Sequence, residues 1–148
     1  MAEQMETKEA LAFSDEHCTM TVRRLGPGAV LVEIRGYDRG LLGLAPLDEV
    51  AKEMGRYPPV ALFVDAAEAE GATWAVSQQW TRWFQANRDR LARVAILVRS
   101  RYVRQTVAVA RELSRTGRLI EIYDDADRFA HAVRQEAEGR GRRAPKTP

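Results

Sequence analysis

Residues 60–84, VALFVDAAEAEGATWAVSQQWTRWF, decide how the rest of the chain is read. The run opens with five apolar residues, Val60-Ala61-Leu62-Phe63-Val64, directly after Pro58-Pro59. A run so short and wholly apolar predicts a strand buried on both faces. Asp65 closes it, a small acidic loop is expected over 66–71, and Thr73 opens a helix that carries all three tryptophans. Strand, turn and capped helix make half of a βαβ unit. Such units place functional groups at the carboxyl ends of their strands.

The flanks extend the same pattern. Toward the N-terminus, Pro46 sits where a helix starts, and Leu47, Val50, Ala51 and Met54 share one face of it. Before that helix lies the loop 36–43, GYDRGLLG. Earlier still, Cys18, Met20 and Val22 alternate with polar residues, and Val30, Val32 and Ile34 do the same after Gly26-Pro27-Gly28. Two alternating runs joined by so short a turn predict a β-hairpin. Toward the C-terminus, the helix from Thr73 to about Arg88 turns Val76, Trp80, Trp83, Phe84 and Asn87 to one side. A second wholly apolar strand follows at 94–98. A helix over 101–116 is then expected to bury Val103, Thr106, Val107, Ala110 and Leu113, with Gly117 as its stop. Strand 119–123 contains Glu121 and reads as nearer an edge. Asp124 or Asp125 caps a last helix that buries Ala126, Phe129, Val133 and Ala137. The order β-β-α-β-α-β-α-β-α defines an α/β class, with a mixed sheet of roughly five strands covered by helices.

Composition suits one domain. The chain has 148 residues and a formal net charge of +2. Residues 1–14 are polar and acidic and are expected to form a flexible arm. Residues 15–138 form the domain, and 139–148 a disordered basic tail carrying Arg140, Arg142, Arg143 and Lys146. Cys18 is the only cysteine, so no internal disulfide can form. No apolar run approaches the roughly 20 residues that span a bilayer, and the first residues lack a secretory signal pattern. A cytoplasmic protein is expected. Nothing implies a cofactor or a metal.

The element order, the run LFVD ending at Asp65 and the closing run EIYDDADRFAHAV (121–133) resemble the STAS fold of anti-sigma-factor antagonists, SpoIIAA-like, in its branch related to SEC14-type lipid-binding domains. The resemblance covers about 17–138. It implies a regulatory module with a protein partner, and SpoIIAA-like edges and helices are compatible with a homodimer. Antagonists of this type carry Asp-Ser-Ser-Gly at the junction into the helix. Here the junction reads Gly71-Ala72-Thr73-Trp74-Ala75, so only Thr73 stands near that phosphosite.

Candidate binding residues cluster after the parallel strands. They are Asp65, Glu68, Thr73 and Trp74 around the first junction, and Arg99, Arg101, Tyr102 and Arg104 around the second. Asp124 and Asp125 follow the last strand. The bland readings are an N-cap for Thr73, local ion pairs for the arginines and helix caps for the aspartates. Helical phase turns Trp74 away from the core face, leaving it either covered by its own loop or exposed as an anchor for a partner. Arg104, Arg111 and Arg115, with Ala108 between, make a basic stripe, either a solvated face or a docking surface for an acidic protein or anionic lipid. Direct nucleic-acid binding lacks a motif. No Ser-His-Asp, Cys-His or metal-ligand spacing involves His17 or His131, and no catalytic constellation is present. Two functions are therefore expected in order: a non-enzymatic protein-interaction module, and a small-ligand or lipid-binding module in which Leu41, Leu42, Leu44 and Trp74 close over an apolar pocket.

Overall fold

The computed structural model describes residues 3–6 and 10–142. Seven strands form one sheet in sequential order: β1 (Glu3–Glu6), β2 (Ala10–Ser14), β3 (Cys18–Gly26), β4 (Ala29–Asp38), β5 (Val60–Ala72), β6 (Leu91–Val98) and β7 (Ile120–Tyr123). The first four strands pair antiparallel, and β4 to β7 pair parallel. Four helices fill the crossovers and the end: α1 (Ala45–Arg56), α2 (Trp74–Asn87), α3 (Arg101–Leu113) and α4 (Ala126–Arg142). A short 3-10 turn, Arg88–Arg90, links α2 to β6. The α/β class, the mixed sheet and β7 as the edge strand are as the sequence predicts. No described helix is long and apolar enough to cross a membrane.

The strand count exceeds expectation because the N-terminal segment joins the sheet. Leu11 pairs with Val22 and Phe13 with Met20, and Phe13 is buried in the main core. Two apolar residues two apart supply one buried face to a strand, and the neighbouring sheet edge supplies its hydrogen bonds. The expected flexible arm is thus corrected for Glu3–Glu6 and Ala10–Ser14, while residues 1, 2 and 7–9 lie outside the described residues. The expected tail is also shorter at its start, since α4 continues through Arg142. Arg140 Nε donates to Glu136 Oε2 at 2.9 Å, an i,i+4 pair that supports this last stretch. Residues 143–148 lie outside the described residues.

The two faces of the sheet carry different cover. Val60, Leu62, Val64, Val94, Ile96 and Val98 meet α1, α2 and α3 in the larger core. Ala61, Phe63, Ala95 and Leu97 point to the other face, where Phe129 and Ala132 of α4 close the smaller core. Both faces of β5 and β6 are covered, which explains their unbroken apolar runs.

The acidic loop expected over 66–71 is instead the second half of β5. β6 ends at Val98, opposite Ala66, yet β4 continues and pairs Arg35 with Glu68, Gly36 with Ala69 and Asp38 with Ala72. A partner strand that outlasts its neighbour keeps the backbone extended through a segment whose composition favours a loop. Leu113 is a further correction. It ends α3 with 58% of its surface exposed, instead of facing the core.

Candidate functional site

Two capped helix starts build the carboxyl edge of the parallel strands. Thr73 caps α2, its Oγ1 accepting from Val76 N–H at 3.3 Å, and its own N–H donates to the Asp38 carbonyl at 3.0 Å. Ser100 caps α3 in the same way, accepting from Val103 N–H at 3.4 Å. The caps start both helices beside one another, and α2 packs along α3.

Between them lies an open groove of about 250 Å³. Trp74, Gln78 and Thr81 of α2 form one wall, and Tyr102, Val109 and Leu113 of α3 the other. Its apolar residues face solvent: Trp74 is 69% exposed, Tyr102 55% and Val109 50%. Positions 102, 109 and 113 fall on one stripe of α3, since seven and eleven residues are close to two and three turns. Gly71 has a φ of +149° and permits a close aromatic approach at the mouth. A Cβ there would stand 2.9 Å from Tyr102 Cε1 and 3.2 Å from Tyr37 Cε1. Sequence reasoning missed Val109 and Leu113. Their spacing is legible, but which flank of α3 meets the sheet is not.

Beneath the groove is a second, apolar cavity of about 100 Å³, between the sheet and the same two helices. Val64, Ala66 and Ile96 form its floor, and Val76, Trp80 and Val107 line its sides. Ala72, Ser77, Thr106 and Ala110 belong to both spaces and form the wall between them. The loop with Leu41, Leu42 and Leu44 takes no part in this lining, and neither does Trp74. Leu42 is buried in the core, and Leu41 and Leu44 are exposed.

One ionisable group reaches the cavity. Asp38 is buried, and that burial raises its carboxyl above the ordinary carboxylate range, with nearby Asp15 adding to the effect. Gly40 N–H donates to Asp38 Oδ1 at 2.9 Å and opposes the shift. Burial first, then Asp38 and Asp15, push the Cys18 thiol up to about 12. Asp38 escaped the sequence reading because an aspartate before Arg39-Gly40 reads as ordinary turn chemistry.

The other predicted residues divide. Arg104 Nη1 lies 3.6 Å from Asp124 Oδ2, both exposed. Asp125 caps α4, its Oδ1 accepting from the N–H groups of Asp127 and Arg128. Asp65 accepts from Ala67 N–H at 3.1 Å and, by strand alternation, shares the α4 side with Phe63. Glu68, Arg99 and Arg101 are exposed and line neither space. The structure therefore brings Thr73, Trp74 and Tyr102 together and leaves Asp65 apart. Among the described residues no three His, Cys, Asp or Glu side chains converge as metal ligands.

No family model matches this sequence, and no curated protein matches it closely. Solved structures do. An anti-sigma factor antagonist from Mycobacterium paratuberculosis is similar over 82% of this chain and 97% of its own, with a TM-score of 0.57 and 17% identity. An uncharacterised protein with a SpoIIAA-like fold from Shewanella loihica PV-4 is similar over 81% of this chain and 97% of its own, with a TM-score of 0.57 and 15% identity. The fold is the SpoIIAA-like, or STAS, fold that the element order resembles.

Proposed function

We propose that this is a non-enzymatic regulatory module that binds a protein partner across the α2–α3 groove. The carrying observation is the exposed apolar lining of that groove, Trp74, Tyr102, Val109 and Leu113. Large aromatic and aliphatic side chains left in water beside a concave surface are typical anchors of a protein interface. The similarity to an anti-sigma factor antagonist supports the same reading. From Trp74 to Arg118 the chain holds ten arginines against Asp89 and Glu112, a balance of +8 in a protein of net charge +2. That surplus favours an amphipathic, acidic partner, drawn in by charge and held by apolar contact. The Asp-Ser-Ser-Gly phosphosite is missing, and the Thr73 hydroxyl is engaged in the helix cap. Regulation then enters by another route than serine phosphorylation.

A photo-crosslinking residue at Val109 tests the reading in native cells. One discrete adduct at Val109, absent from a control at Glu121 and lost in Leu113→Asp, is expected. Equal labelling at both positions, or none, defeats the proposal.

The inner cavity favours a second reading, a small-ligand module. About 100 Å³ is some three times the volume of one water in the liquid, and its lining is almost wholly apolar. It suits a ligand of a few heavy atoms. Because the cavity and groove share a wall, occupancy would move the surface that meets the partner. Xenon or small aromatic probes that perturb Trp80 fluorescence, with no effect in a cavity-filling Ala66→Leu variant, are expected if the cavity accepts ligands.

A further inference from the structure

The turn that ends α3 adopts a conformation that glycine would reach without strain. Arg115 has a φ of +58°, the only non-glycine residue in the left-handed region among the described residues. Its N–H donates to the Glu112 carbonyl at 3.2 Å, and Thr116 N–H donates to the Arg111 carbonyl at 3.1 Å. These two bonds make a Schellman closure, whose left-handed position usually holds glycine. The sequence places that stop at Gly117, and the structure places it two residues earlier. Ser114 and Thr116 are buried, with their hydroxyls 2.6 Å apart, so the turn is held in place. An arginine stands where the backbone favours glycine, which calls for a reason beyond folding.

The side chains around this turn provide one. Arg88, Arg111, Arg115 and Arg118 line a single open concavity of about 610 Å³, with Glu112 as its one acid. Elsewhere Arg24, Arg93, Arg104 and Arg140 each have a carboxylate within 4.0 Å. None of the four lining arginines has an ion pair among the described residues. They come from two connections, the 3-10 turn before β6 and the end of α3 before β7. Both lie at the edge where the parallel strands begin, the far end of the helix pair from Trp74 and Tyr102.

Four guanidinium groups gathered around a single carboxylate, Glu112, with no ion pair among the described residues, repel one another until an anion arrives. Each planar fork matches two oxygens of a phosphate, so four forks match two or three linked phosphates better than one. A nucleic-acid strand instead needs a continuous basic track. The stripe along α3 is broken, since Ala108 interrupts it and Arg104 is paired with Asp124. We propose that this concavity binds a di- or triphosphate group, free or carried by a nucleotide.

Calorimetric titration of the full chain with sodium tripolyphosphate at low salt tests the site. Orthophosphate, adenosine triphosphate and single-stranded oligouridine serve as comparisons. Tripolyphosphate should bind at least tenfold more tightly than orthophosphate, and binding should weaken as salt screens the charges. Adenosine triphosphate binding alongside it supports the proposal. Arg88→Ala and Arg118→Ala should each weaken binding roughly tenfold, the scale of a charge-assisted hydrogen bond. Arg115→Gly should weaken it as well without lowering the melting temperature, which separates ligand contact from folding. Trp74→Ala should leave it unchanged, which separates this site from the groove. Failure of tripolyphosphate to bind, or binding indifferent to all three arginine substitutions, overturns the proposal. Oligouridine that binds more tightly than tripolyphosphate overturns it in favour of a nucleic-acid site.

Discussion

The α2–α3 pair presents unlike surfaces at its two ends. Where the helices begin, rings gather: Trp74 and Tyr102 stand in solvent over Gly71 and the groove. Where they finish, Arg88, Arg111, Arg115 and Arg118 stand around a concavity with Glu112, none of them in an ion pair among the described residues. Between these ends the same helices bury Val76, Phe84, Val103 and Ala110. The buried middle of the pair carries stability, and its two ends carry the proposed binding surfaces. A side chain left in water adds little to folding, and its position has to be explained by what it meets.

Substitutions should divide along that line. Phe84→Ala removes a buried ring packed against Trp80 and Trp83, with centroids 5.9 and 5.7 Å away, and should cost about 3–5 kcal/mol in a denaturant melt. Trp74→Ala should cost less than about 1 kcal/mol in the same melt. Its effect on partner affinity should reach about 2 kcal/mol, the scale of an interface anchor. Comparable destabilisation by the two variants would make Trp74 a core residue and remove the contrast.

The cap lies between the extremes. Thr73→Ala loses the bond to Val76 N–H and should cost about 1 kcal/mol, with Thr73→Ser restoring most of it. A loss confined to partner binding, with stability intact, would mean that the hydroxyl serves recognition. At the arginine end the sign reverses. Arg115→Gly should gain up to about 1 kcal/mol, as relief of the left-handed strain outweighs the extra freedom of an unfolded glycine. A clear loss would show that the Arg115 side chain supports the fold.

The smallest effect concerns Asp38. Its carboxyl holds a proton more firmly in the folded protein than in the unfolded chain, where the ordinary value is 3.8. Stability should therefore fall as pH rises from that value through the raised one, and the full burial penalty applies above it. Asp38→Asn should flatten this slope while keeping an acceptor for Gly40 N–H. An unchanged slope would assign the dependence to other carboxylates. Cys18 supplies a companion test of the same buried region. With its thiol pushed up to about 12, it should resist alkylation at pH 8 in the native state and react readily in denaturant.

Local pattern alone determined the order of elements from Cys18 onward, the two wholly buried strands, the Thr73 cap and the separation of Trp74 from the core face. These follow from apolar runs, helical phase and capping chemistry, which act within a few residues. The tertiary structure decided what depends on neighbours distant in sequence. Residues 66–72 became strand because β4 continues beside them after β6 stops. Ala10–Ser14 became strand because β3 offered an open edge and Leu11 and Phe13 could reach the core. Leu113 turned outward because the sheet lies under the other flank of α3. The arginine stripe, interrupted in sequence only at Ala108, lost Arg104 to a pairing with Asp124, while Arg88 and Arg118 joined Arg111 and Arg115 from other connections. Spacing along the chain sets which side chains share an element, but only packing sets which elements share a surface, because that contact is made across separations no local rule spans.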